Sequence, residues 1–170
     1  MVSFLVRPVR KVVDAVVGYN SPRELAAGFA IGMVLGLVPK GNLIAVSLLV
    51  LLFSMRVNTG IGLVAALLFS WTGAVLDPFA HKTGLYVLSI ESMQATYATA
   101  MQTSLVPWTD FNNTVVAGSL AIGLYLMYPT YWLSHLAFSK LAPNSRADDK
   151  PPISAPRLYT TDEPTGRRAA

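Results

Sequence analysis

Between Gly36 and Ala45 the sequence reads Gly-Leu-Val-Pro-Lys-Gly-Asn-Leu-Ile-Ala. Pro39, Lys40, Gly41 and Asn42 interrupt a run that is otherwise nearly all apolar from Leu25 to Phe53. Proline and glycine stop helices, so this run cannot be one unbroken helix. Both pieces are short. Residues 25–38 cover about 21 Å at helical rise, and residues 43–53 about 17 Å. Neither reaches the ~30 Å of a bilayer's hydrocarbon core. The break is therefore either a turn in water between two helices or irregular backbone inside a membrane. The second is tolerated only where the backbone is buried in protein or lines water.

Composition favours the membrane. Of 170 residues, 53% are hydrophobic and 13% charged, against about 25% charged in ordinary soluble domains. Mean hydropathy is +0.49. The fold class expected is an all-α integral membrane protein with no cleavable signal peptide. Residues 1–20 read as an amphipathic interfacial helix, with Val9, Val12, Val13, Val16 and Val17 opposite Arg10, Lys11 and Asp14. Residues 21–142 read as the membrane-embedded helical domain. Residues 143–170 hold five prolines and few large apolar groups, and read as a disordered polar tail.

Helix signals divide the middle region. Ser21, Pro22 and Glu24 form a capping-box start. Residues 54–60 are a polar connection. Ile61 to Leu76 is apolar up to Asp77-Pro78, and residues 79–90 extend it past a kink. Residues 91–113 are polar and aromatic, with Tyr97 and Trp108, and suit an interface. Residues 114–139 form an apolar stretch interrupted at Pro129, long enough to span with tilt.

Charge sets the expected orientation. Arg7, Arg10, Lys11 and Arg23 precede Leu25, and six basic residues follow Phe138. None lies between Lys82 and Lys140. Both termini are then cytoplasmic and residues 83–113 outside, in the bacterial inner membrane. One broken span over 25–53 would place the basic tail outside. Two full crossings satisfy parity but are too short without thinning of the bilayer. A re-entrant hairpin, turning at Pro39–Asn42 and returning Arg56 to the cytoplasm, satisfies both length and charge and is preferred.

Small residues recur at every fourth position: Gly28, Gly32 and Gly36, then Gly62, Ala66 and Ser70. Such faces let helices approach closely in lipid, and the first face is expected to close the hairpin. Ala27-Gly28 stands eleven residues before Pro39, counted from the glycine, as Ala117-Gly118 does before Pro129. This hints at a repeat, which the preferred topology does not support.

The stretch Ser-Pro-Arg-Glu-Leu-Ala-Ala-Gly-Phe-Ala-Ile-Gly-Met-Val-Leu-Gly-Leu-Val-Pro-Lys-Gly-Asn, followed by Arg56-Val57-Asn58, resembles the bacterial membrane family called domain of unknown function 2062. The resemblance runs from Ser21 to Gly84, through His81-Lys82-Thr83-Gly84. It implies a helical membrane protein, no reaction, and a larger partner protein encoded nearby. One departure stands out: Asp77-Pro78 occupies the place of an Asn-Pro in many members, so a neutral amide has become a titratable group.

Chemical motifs are sparse. There is no Cys and only His81 and His135, so no metal site, cofactor or thiol nucleophile is expected. Hydrolase elbows, paired zinc-binding histidines and phosphate loops are missing, which argues against an enzyme. Basic residues flank apolar segments, which argues against nucleic acid. The best site is Lys40, Gly41 and Asn42. Asn42 caps the helix that follows. The helix N-terminus and Lys40 together suit an anion such as a lipid headgroup. Asp77 or a substrate anion is Lys40's expected partner; the plainer alternative is a snorkelling lysine. Two functions stay open. One is a non-catalytic scaffold or accessory subunit for a partner. The other is a small transporter or channel, formed as a homo-oligomer, with its site at the break.

Overall fold

A computed structural model describes residues 21–141; residues 1–20 and 142–170, with the interfacial helix and polar tail expected there, lie outside the described residues. The described chain is all-helical: α1 (Pro22–Leu37), α2 (Leu43–Ser54), α3 (Thr59–Leu88), α4 (Glu91–Met101), a 3-10 turn (Val106–Thr109) and α5 (Thr114–Leu141).

Local chemistry sets each boundary. Ser21 Oγ accepts from the Glu24 amide at 3.3 Å, and the Ser21 amide donates to Glu24 Oε2 at 2.9 Å. This reciprocal box satisfies two helix-end donors, and Pro22 fits the first turn, where no N–H is needed. α1 stops because Pro39 pushes Val38 into extended geometry (φ −70°, ψ 130°). Asn42 caps α2 through the Ala45 amide, and Asn58 caps α3 through the Ile61 amide. Pro78 does not end α3, which runs 30 residues, about 45 Å at helical rise. It removes one donor and leaves the other bonds of the helix in place.

Glycine contacts fix how the helices lie. A Cβ on Gly28 would strike the Asn58 carbonyl, and one on Gly32 the Gly62 backbone. One on Gly36 would stand 2.6 Å from Phe69 Cβ and 2.8 Å from the Ala66 carbonyl. These partners advance together along both helices, so α1 and α3 run parallel in backbone contact. The Asn58 amide also donates to the Glu24 carbonyl at 3.1 Å, tying the starts of both helices together. α5 runs antiparallel to both. Gly118 meets Ala80 and Gly84, Gly123 meets Val34, and Phe138 meets Phe29 edge to face at 6.3 Å.

α1 is the central element, with every residue from Ala30 to Leu37 buried. Leu25, Met33 and Val34 are fully enclosed. α2 returns along the outside and buries only Ala45 and Leu52. Leu52 reaches back to Gly62, where a Cβ would lie 2.6 Å from Leu52 Cδ1. α1 and α2 are thus a hairpin with both open ends beside the start of α3.

One expectation is corrected here. The Gly28, Gly32 and Gly36 face does not close the α1–α2 hairpin; it packs on α3. The reason is steric. α3 offers its own small face of Gly62 and Ala66, whereas α2 presents Leu48 and Leu52 and needs no glycine opposite them. The weak repeat is not a structural one: Pro39 follows the end of α1, while Pro129 lies inside α5.

Candidate functional site

Two prolines remove amide donors from helical carbonyls near the hairpin tip, Pro39 in the tip itself and Pro78 in α3 beside it. In a continued helix the Leu35 carbonyl would accept from residue 39, but Pro39 has no N–H. Lys40 supplies the donor instead. Its Nζ lies 2.7 Å from the Leu35 oxygen, 3.0 Å from Gly36 and 2.8 Å from Val38. An ammonium group has three donors, and all three are engaged. The cation also sits where the helix dipole is negative. Asn42, buried, uses both ends of its amide: Nδ2 donates to the Pro39 carbonyl at 2.9 Å, and Oδ1 accepts from the Ala45 amide at 2.9 Å. Gly41 adopts φ +98°, which L side chains rarely take.

The second proline is Pro78. It deprives the Ala74 carbonyl of its helical amide donor. Asp77, one residue before Pro78, is exposed. Lys40 and Asp77 line one cleft of about 180 Å³ with Pro39, Ser70, Gly73 and Ala74. Lys40's hydrogen bonds nevertheless go to the three carbonyls of its own strand of chain rather than to Asp77. Ser70, which also lines the cleft, donates to the Ala66 carbonyl at 2.7 Å. Thus the structure brings Lys40, Asn42 and Asp77 to one end of the hairpin, with Gly28, Gly32, Gly36 and Gly62 in the packing spine below.

On the other side of Lys40 lies an apolar groove of about 450 Å³ between α2 and α3. Val46, Leu49, Leu63 and Leu67 form its walls, and Lys40 and Ser70 border both spaces.

The histidines lie elsewhere. His81 Nδ1 is 2.6 Å from Thr114 Oγ1, linking α3 to α5. His135 stacks on Tyr131 at 6.1 Å. No group of three His, Cys, Asp or Glu among the described residues could hold a metal ion.

Sequence reasoning missed Gly73, Gly84 and Gly118 as close-contact glycines. A Cβ on Gly73 would stand 3.2 Å from the Leu37 carbonyl, just below the tip. The only signal was the glycine in His-Lys-Thr-Gly and the faint Ala-Gly recurrence, and neither names a partner helix.

Over the described residues, the fold is all-helical and built on the parallel glycine-packed pair α1 and α3, with the short α2 folded back along the outside and α5 antiparallel to both. The family model described as "Uncharacterized protein conserved in bacteria (DUF2062)" matches residues 9–146, and the chain belongs to this family. It is also similar to an uncharacterized protein of Treponema pallidum (strain Nichols), 29% identical over 116 residues, covering 68% of this chain and 72% of that one. No solved structure matches.

Proposed function

We propose that this chain is a multi-pass protein of the bacterial inner membrane with a non-catalytic role, as a scaffold or accessory subunit for a larger partner. The observation that carries the membrane reading is the surface of α3. Among the described residues it is the one helix long and apolar enough to cross a membrane by itself, yet only 22% of its most apolar window is buried. The core helix of a soluble protein of this length would be mostly buried. Trp71, Val75 and Phe79 are 84%, 76% and 64% exposed on one side of α3. α5 adds Tyr125, Tyr128, Trp132 and Leu133, and α2 adds Val50 and Phe53. An apolar belt on three helices suits lipid or an apolar partner far better than water.

Charge supports the orientation. Arg23, Arg56 and Lys140 belong to the end where α1 and α3 start and α5 finishes. By the positive-inside rule this end is cytoplasmic, and the connection of α4 and the 3-10 turn is outside. The α1–α2 hairpin then enters from the cytoplasm, and its tip reaches the level of Asp77, about 27 Å along α3 from Thr59.

Accessory subunit is favoured over transporter because the polar groups of the break serve the chain itself. Lys40 holds its own carbonyls, and Asn42 closes its own turn. The second reading, a homo-oligomeric transporter or channel with an anion or lipid-headgroup site at Lys40, Gly41 and Asn42, draws on the cleft shared with Asp77. A membrane fractionation tests the proposal. Under it, alkaline carbonate leaves the protein in the pellet, and mild detergent with crosslinking recovers one larger partner in fixed ratio. Release by carbonate would contradict it. Recovery of a homo-oligomer whose anion permeability in vesicles is lost in Lys40→Ala would favour the second reading.

A further inference from the structure

We propose that the cleft at Asp77 and the groove between α2 and α3 form one binding site for a bilayer phospholipid whose headgroup ends in a primary amine. The site rests on the membrane reading given above and adds to it a ligand.

The polar half of the site calls for a cation. Asp77 and Ala74 line the cleft, and Pro78 deprives the Ala74 carbonyl of its helical amide donor. The one strong donor nearby, Lys40 Nζ, is already engaged by the Leu35, Gly36 and Val38 carbonyls. A carboxylate, with a carbonyl short of its helical donor on the same cleft wall, matches a primary ammonium, which has three N–H donors. Lys40 borders both the cleft and the groove, so the phosphate of the same headgroup would pass it. Its positive charge offsets that phosphate without giving up its carbonyls.

The apolar half calls for a chain. The groove bordered by Leu49, Leu63 and Leu67 meets the cleft at Lys40 and Ser70. From Asp77 to Leu63 the site extends about 21 Å along α3. Its polar end lies at the level where the uncharged stretch of α3 stops, at Asp77, and its apolar end points toward the start of α3. An outer-leaflet lipid has this polarity, with its headgroup at the tip and its acyl chain descending between α2 and α3.

The test is native mass spectrometry of the full chain, released from mixed micelles holding equal amounts of phosphatidylethanolamine, phosphatidylglycerol and phosphatidylcholine. The wild type is expected to retain the ethanolamine lipid about tenfold over the other two, the scale of a charge-assisted hydrogen bond. Asp77→Asn is isosteric and is expected to lose that preference, while Asp77→Glu keeps part of it. Leu67→Trp, which fills the groove from an exposed position, is expected to lower retention of all three lipids together. Equal retention by the wild type, retention of the choline lipid equal to ethanolamine, or an unchanged preference in Asp77→Asn would overturn the proposal. Failure on these arms with the protein still resistant to carbonate extraction removes the lipid site alone. Release by carbonate removes the membrane reading beneath it.

Discussion

Gly84 and Gly118 meet backbone to backbone where α3 crosses α5. A Cβ on Gly118 would stand 2.7 Å from the Gly84 amide nitrogen, and one on Gly84 would stand 2.9 Å from the Gly118 nitrogen. The atoms in the way are main chain, so no side chain can turn aside. Gly118→Val should therefore push the helices apart and destabilise the protein by about 2 kcal/mol or more. Thermal unfolding in detergent, followed through Trp71, Trp108 and Trp132, measures it. A melting temperature equal to wild type would show that α3 and α5 do not touch there.

Gly32 and Gly41 separate two reasons for a glycine. Gly32 has ordinary helical geometry but faces the Gly62 backbone, whereas Gly41 has φ +98° and open space where a Cβ would stand. Gly32→Ile is expected to abolish folded protein, by overpacking against main chain. Gly41→Ala meets no clash and should lose only about 1 kcal/mol, from backbone strain. The ratio of folded yields on size-exclusion chromatography reads the contrast. Equal losses would contradict the packing of α1 on α3.

The tip should respond to both of its polar side chains. Asn42→Ala removes the α2 cap and the bond to Pro39, and is expected to cost about 1–2 kcal/mol. Lys40→Met retains the apolar stem and removes the donors for three carbonyls, at about 1 kcal/mol. Hydrogen exchange at Ala45 and Val46 should rise in the first variant. Unchanged protection there would mean that Asn42 does not hold the turn.

Much of this arrangement was legible in the chain. The capping box at Ser21 and Glu24, the break at Pro39–Asn42 and the start of α3 after Asn58 are local signals, written in a few adjacent residues. The small-residue spacing announced close helix packing. Its partner was not legible, because Gly28, Gly32 and Gly36 say only that something approaches, not which helix does. Nor was the role of Lys40. Its three hydrogen bonds depend on Pro39 having orphaned the Leu35 carbonyl, a relation of angles that charge counting does not contain. Asp77 and Lys40 line one cleft, but the lysine's hydrogen bonds go to the carbonyls of its own turn.

The most direct test of the membrane account is the side from which Arg56 is reached. The chain contains no cysteine, so Arg56→Cys and Thr103→Cys each place one thiol, both at exposed positions. In intact cells a membrane-impermeant maleimide should label Thr103→Cys and spare Arg56→Cys, and inverted vesicles should show the reverse. Labelling of Arg56→Cys from outside the cell would contradict a hairpin that enters and leaves on the cytoplasmic side.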